Sequence, residues 1–404
     1  MAVAGRGEAG RAGDDVRSDL HVVVEITDGG GLEIEVISKV ASLYGDSIEG
    51  TTRTTLAGLG LENARVRVDD KGAVPFVIAA RVEAAALRAG AAPGGDARPE
   101  RSVSERRHTA RNRLRRSRLY LPGDQPKLQL NAGLHRPDAV ILDLEDSVHV
   151  DQKDAARLVV RNALRTVSFG EAEVMVRINQ LPLGLDDLSA IVPERPDLLL
   201  IPKTESAAQV IEVDARIREI LGTDAEGAPP VWIMPILETA LGVESAFEIA
   251  SASPAVVALT IGLEDYTADL GVPKTLEGAE SLYARGRLVN AAKAASVQAI
   301  DSVFGDVGDE EGLRAWASRS RGLGFEGMGC IHPRQIRPIH EAFAPSAEEI
   351  EKALRIVAAF EEAEARGLGV VSLGTRMVDP PVVLRAQRLA ELARRAGLIE
   401  EAGS

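Results

Sequence analysis

VWIMPILETALG (231–242) and VALTIGLEDYTADLG (257–271) decide how this chain folds. Each opens with an apolar run that lacks polar alternation, the mark of a strand buried on both faces. Each run ends on an acidic residue, Glu238 in the first and Asp265 in the second. A carboxylate placed where a buried strand gives way to a loop is costly unless a cation or hydrogen bonds satisfy it. Two of them, one βα unit apart, point to a shared metal ion.

Outward from this pair the same alternation repeats. RLYLPG, DAVILDLED, EVMVRIN and DLLLIPKTE precede it as strand candidates, and QAIDSVFGD and MGCIHP follow, with helical stretches such as DQKDAARLVVRNAL between them. Eight β then α units in about 220 residues predict a closed (β/α)8 TIM barrel over 117–345, not an open doubly wound sheet. No GxGxxG follows a first strand, which weakens a dinucleotide site. Beyond the barrel, 346–404 reads as an amphipathic helix and an extended segment turning at Pro380-Pro381 into a last helix, free to act as a lid or subunit contact.

Ahead of the barrel, 1–90 reads as a small α+β unit. DLHVVVEIT, the turn DGGG and LEIEVIS are strand, turn and strand; a helical stretch over 39–59, the strand ARVRVDD, PFVIAA and the helix ARVEAAALRAG follow. Residues 91–116, rich in Pro, Gly, Ser and Arg, read as a solvated linker whose arginines are otherwise a docking patch for acidic surfaces or phosphates.

Composition narrows the function. The chain has 404 residues, 45% of them hydrophobic, and a net charge of -14. That charge argues against a general nucleic-acid binder, which needs clustered Lys and Arg on its surface. One cysteine, Cys330, excludes an internal disulfide framework and a cysteine-rich zinc site, and fits the cytoplasm. No uncharged run approaches the ~18 residues of a membrane span.

In a TIM barrel the C-terminal strand ends carry the active site. There the sequence places Asp143, Glu145 and Asp146, Arg177 and Asn179, Lys203 and Glu205, then Glu238, Asp265, Asp306 and His332. A mostly acidic ring suits an oxygen-liganded cation, and Mg²⁺ takes one or two protein carboxylates while keeping waters. Glu238 and Asp265 are the chosen ligands, with Asp143, Glu145 or Asp146 behind a bound water. The competing reading is ion pairing with Arg177 and Lys203 that only closes the barrel mouth. Arg177 offers a planar fork for a substrate carboxylate. Arg116, Arg118 and Lys127 are candidates for the phosphates of a large ligand, His332 for a general base, and Asp379 for an acid/base arriving on a mobile tail.

These residues carry a resemblance. RSRLYLPG, DAVILDLEDSV, VRIN, IPKTES, MPILETALG, GLEDYTADLG, GFEGMGCIHPRQI and MVDPPVVLRAQ resemble, in order, the citrate lyase β-subunit family, which includes malyl-CoA and citramalyl-CoA lyases within the HpcH/HpaI aldolase group. The resemblance spans Arg113 to Leu398. It implies Mg²⁺ on Glu238 and Asp265, Arg177 on the keto-acid carboxylate and Arg116 toward the phosphates of CoA or a carrier. It also implies that Asp379 is the acid/base, covering a neighbouring subunit's site in a homo-oligomer, most often a trimer.

Residues 32–89 are similar to the acyl carrier, or γ subunit, of citrate lyase, which implies a carrier fused to a lyase and a citrate lyase α (transferase) subunit as partner. That carrier holds a phosphoribosyl-dephospho-CoA arm on the first serine of Ser-Ser-Asp. Here the letters are Arg17-Ser18-Asp19, leaving Ser18 as the attachment candidate or the domain unmodified. The expected reaction is retro-Claisen cleavage of a citryl thioester to an acetyl thioester and oxaloacetate. Malyl-CoA or citramalyl-CoA cleavage and thioester hydrolysis are the alternatives, and a non-catalytic assembly subunit is the competing class.

Overall fold

The computed structural model describes residues 5–92, 95–103, 109–222, 230–365, 371–373 and 376–400; parts of the expected linker (93–94, 104–108) and tail (366–370, 374–375, 401–404) lie outside the described residues. Strands β1 (Arg6–Gly10), β2 (Leu20–Ile26), β3 (Leu32–Ser38) and β4 (Ala64–Asp70) form one sheet in the order β1-β2-β4-β3. Alternation along β2 and β4 buries Leu20, Val22, Val24, Val66 and Val68. β3 runs parallel to β4, with helix Ala41–Gly58 as the crossover, and β2 pairs antiparallel with β4. The DGGG turn therefore redirects the chain and closes no hairpin.

Two features of this unit escape the sequence pattern. RGEAG, of no strand-like composition, pairs with the free edge of β2 as β1. PFVIAA is the first half of helix Pro75–Arg88, started by Pro75, whose preset φ suits a first helical position. All residues from Phe76 to Ala86 are buried, because the helix lies between the sheet and the barrel helix Lys153–Thr166. A helix apolar on every side has no amphipathic stripe to read.

The barrel is as expected. Its strands are β5 (Ser117–Pro122), β6 (Ala139–Asp143), β7 (Glu173–Arg177), β8 (Leu198–Ile201), β9 (Trp232–Leu237), β10 (Ala258–Ile261), β11 (Gln298–Asp301) and β12 (Gly327–Cys330). All pair in parallel, and Arg118 of β5 opposite Gly329 of β12 closes the ring. Ile141, Met175, Leu200, Met234 and Ile300 fill its interior. Helices Ala347–Ala365 and Pro380–Arg395 pack on each other, and the short strands β13 (Val371–Leu373) and β14 (Arg376–Val378) pair between them in sequence.

Not all the described linker arginines are left to solvent: Arg98, Arg101 and Arg111 are exposed, but Arg113 and Arg116 are half-buried and Arg115 lies deeper still. Arg115 is fully buried and holds Glu173, the first residue of β7, through Nε at 2.7 Å and Nη2 at 2.8 Å. Thr109 Oγ1 donates to the same carboxylate, and Arg101 and Arg165 share Glu194. The described linker residues around Arg115 thus lie at the N-terminal end of the barrel, where Glu173 at the start of β7 pairs with a cation that composition alone assigned to solvent.

The N-terminal unit is fixed to the barrel by three arginines. Arg161 meets Glu83 in a buried pair, with Nη1 to Oε1 at 2.8 Å, while Asn162 Nδ2 donates to the Phe76 carbonyl at 3.1 Å. Arg81 grips Asp19 through two hydrogen bonds and reaches the carbonyl of Asp124 at 2.9 Å. Arg88 grips Asp154. Removing one member of a buried ion pair costs about 3–5 kcal/mol, because the other is left charged and unpaired. Arg161→Met should lower the first unfolding transition in urea by about that amount, and Glu83→Met on top of it should recover most of the loss. A single variant as stable as the parent would show that the pair is not desolvated.

Candidate active site

The mouth of the barrel is built around Glu238. It follows β9 directly, is 2% exposed, and accepts from the backbone N–H of Lys203 at 2.7 Å. Lys203 adopts a left-handed φ of 44°, uncommon for a side chain of this kind. Opposite stands Gly262, where a Cβ would come within 2.4 Å of Glu238 Oε2, so only glycine fits. Asp265 lies in the first turn of helix Leu263–Leu270 after β10, an N-terminal position that favours negative charge.

The cations of the mouth are committed elsewhere. Arg177, at the end of β7, donates from Nε and Nη2 to Asp143 at 2.6 and 2.7 Å, and its Nη1 lies 2.9 Å from Glu145. Its guanidinium stacks over Tyr120, 5.3 Å from the ring centre. Lys203 Nζ sits 3.6 Å from Asp265 and 3.8 Å from Glu145. Burial pushes the Asp143 carboxyl up, but the hydrogen bonds and charge of Arg177 win and hold it below its ordinary value. Among the described residues Glu238 has no such partner. Burial, with Asp265 and Glu145 adding like charge against the Lys203 amide and Arg177, pushes its pKa up to about 8.

Arg177, Glu238, Asp265, Asp143 and Asp146 line one cavity of about 450 Å³ with Tyr120. Glu145 stands behind it, bonded to Gln180 at 3.0 Å. Among the described residues no three His, Cys, Asp or Glu side chains are grouped to hold a metal ion. A hard cation here would take Glu238 and Asp265 and leave its other positions to water and substrate, which Mg²⁺ accepts. The uncompensated Glu238 fits that role.

Four expected residues lie elsewhere. Arg116 precedes β5 and so sits on the opposite face of the barrel, donating to Asp138 at 2.8 and 2.9 Å; it closes the barrel bottom and cannot reach a ligand in the mouth. Lys127 faces a second cavity of about 350 Å³, whose other wall is the loop Arg11–Asp19 that carries Ser18. Asp379 is exposed, caps helix Pro380–Arg395 by accepting from Val382 N at 3.3 Å, and does not line the main cavity. His332 likewise serves as a cap, its Nδ1 accepting from Arg334 N at 3.1 Å. Tyr120, inward-facing and under Arg177, was not singled out in the sequence; the period of two along β5 is the signal that places it there.

Folded, metal-free Glu238 stays protonated to about pH 8, whereas its unperturbed value is 4.5. Between those values unfolding releases a proton, so this residue makes stability fall as pH rises. In EDTA, the midpoint of thermal unfolding should fall from pH 5 to 8 more steeply for the parent chain than for Glu238→Gln. Parallel profiles would show that the carboxyl is not raised.

Residues 116–333 match the family described as HpcH/HpaI aldolase/citrate lyase, and residues 8–89 match the one described as malonate decarboxylase delta subunit (MdcD). Citrate lyase subunit beta of Leuconostoc mesenteroides subsp. cremoris is 41% identical over 72% of this chain and 97% of that protein. L-malyl-CoA/beta-methylmalyl-CoA lyase of Cereibacter sphaeroides is 35% identical over 70% of this chain and 95% of its own length. The crystal structure of protein CitE from Mycobacterium tuberculosis with magnesium, acetoacetate and coenzyme A superposes with a TM-score of 0.58 at 33% identity, covering 71% of this chain and all of that one. With residues 116–333, more than half of its length, matched by that family and an acyl-carrier-like unit at 8–89, the chain belongs to the HpcH/HpaI aldolase/citrate lyase family.

Proposed function

We propose that this chain is a Mg²⁺-dependent carbon–carbon lyase that cleaves a citryl thioester into an acetyl thioester and oxaloacetate. The observation that carries the reading is Glu238, buried, without a side-chain cation, and facing the same cavity as Asp265 and Arg177. Glu238 and Asp265 would hold the ion. When bound, Mg²⁺ lowers the pKa of the substrate hydroxyl and stabilises the carbonyl that forms from it.

The chain's own residues do the rest. Asp143 and Glu145 hold the Arg177 fork over Tyr120, so that it orients the carboxylate of the keto-acid half. As the hydroxyl loses its proton, the bond between the carbinol carbon and the thioester α-carbon breaks. Its electron pair becomes the thioester enolate, which then takes a proton. Asp379 is the residue assigned to proton transfer. It lies outside the cavity of its own chain, which supports delivery from a neighbouring subunit of a homo-oligomer, a trimer in this reading.

The MdcD-like match at 8–89 and the Ser18 loop beside Lys127 support a carrier-bound substrate, with Ser18 as attachment point of a phosphoribosyl-dephospho-CoA arm and an α subunit as its acyl donor. The second reading, malyl-CoA or citramalyl-CoA cleavage on free CoA, is favoured by Arg17, which stands where the arm-bearing serine is expected. Intact mass of the chain separates them: an added arm on Ser18 supports the first, and an unmodified chain active on citramalyl-CoA the second. No helix among the described residues is long and apolar enough to cross a membrane, and the lone buried cysteine supports a cytoplasmic place.

Mg²⁺-dependent release of oxaloacetate from citryl-CoA is the direct test. Loss of a positioned acid/base lowers turnover by about 10²–10⁴-fold. Asp379→Asn should therefore lose turnover on that scale with substrate affinity little changed. An active variant would remove Asp379 from the mechanism, and absence of lyase activity on every thioester tried would favour an assembly role.

A further inference from the structure

Among the described residues five arginines are buried, and four of them hold a carboxylate: Arg81 with Asp19, Arg115 with Glu173, Arg161 with Glu83 and Arg285 with Asp301. Arg118 is the fifth. It is 1% exposed, rises from β5 into the barrel interior, and among the described residues pairs with no carboxylate. Its Nη2 donates to Thr260 Oγ1 at 2.9 Å and to the Asp301 carbonyl at 3.3 Å. Nη1 has only the Met234 thioether at 3.1 Å, a weak acceptor, and Nε has no partner. The Asp301 carboxylate offers no help, because it is taken by Arg285 and Ser320.

A guanidinium without a counter-charge is expensive to bury, by several kcal/mol even after relaxation. Its neighbours include the apolar Met234, whose thioether it touches, and Ala139, its register partner on β6. Burial accordingly pulls its pKa down. Such a group is stabilised only when an anion comes to it, and the route is open: Arg118 and Thr260 line the same cavity as Glu238, Asp265 and Arg177. The Arg177 fork is aligned by Asp143 and Glu145, so the mouth and the interior each present one arginine, and only the inner one lacks an acid.

We propose that Arg118 is a specificity residue that receives a second carboxylate of the keto-acid half of the substrate, so that the site selects a dicarboxylic keto acid such as oxaloacetate over a monocarboxylic one. This deepens the citryl reading and rests on it: one carboxylate lies on Arg177, and the other, absent from pyruvate and glyoxylate, reaches Arg118. It also sets Arg118 apart from the phosphate-binding candidates, since the carboxylate it receives belongs to the keto-acid half of the substrate.

The test is binding of freshly dissolved oxaloacetate and of pyruvate to the full chain with Mg²⁺ present, by titration calorimetry, for the parent chain, Arg118→Met and Arg118→Lys. A hydrogen bond to a charged group corresponds to about 10- to 100-fold in affinity. The parent should prefer oxaloacetate over pyruvate by about that factor, Arg118→Met should bring the two within about threefold by weakening oxaloacetate alone, and Arg118→Lys should keep part of the preference. Equal affinities in the parent overturn the proposal even if the variants do not fold, and so does an equal loss on both ligands in Arg118→Met. If citryl-CoA is not cleaved but the preference and its loss are found, the reaction assigned above fails and the Arg118 site stands. If citryl-CoA is cleaved and the preference survives Arg118→Met, the site fails and the reaction stands.

Discussion

A carboxylate buried without a cation is the constraint that shapes the barrel mouth. Glu238 sits where β9 runs out, and its neighbours are arranged to tolerate it. Gly262 gives up its side chain to make room, and Lys203 takes a left-handed backbone that aims an N–H at Oε1. Neither adjustment is enough to keep the group ionised at neutral pH, because burial pushes its pKa up to about 8. One amide donor offsets part of the desolvation of an ionised carboxylate and no more. The mouth is therefore a site held short of electrostatic balance, and divalent metal chemistry follows from that shortage more directly than from the number of acids in the ring.

Much of the barrel was legible because strands buried on both faces read as apolar runs, clearest in β6, β8 and β9, while QAID of β11 and GMGC of β12 were placed by the β/α alternation around them. Glu238, Asp265 and Arg177 were legible because each ends or follows a strand on the side where a barrel presents its chemistry. The two arginines at the start of β5 have opposite fates. Arg116 and Arg118 are two residues apart and chemically identical, yet one pairs with Asp138 on the bottom rim and the other enters the interior. What separates them is height along the strand, which a string of letters does not carry. The linker failed for a related reason: Arg115 has the composition of a solvated segment, and its partner Glu173 lies 58 residues away.

The N-terminal unit shows the same override of local pattern. Its helix Pro75–Arg88 has to satisfy two surfaces, sheet and barrel, and so carries apolar residues all round, with Arg81 and Glu83 buried among them. Those two charges are tolerable only because Asp19 and Arg161 meet them. Asp19, one residue after Ser18, is thereby a structural anchor of the loop, while Ser18 itself has a left-handed φ of 56° and its N–H bonded to the Lys71 carbonyl.

Joining that unit to the barrel in one chain, and seating it through Arg81, Arg88 and Arg161, changes the kinetics open to it. Two separate proteins must meet by diffusion, and their encounter weakens as they are diluted. A tethered and docked unit meets its barrel at an effective concentration set by geometry, in the millimolar range for short connections. Its association with the barrel is first order and indifferent to how much protein the cell makes.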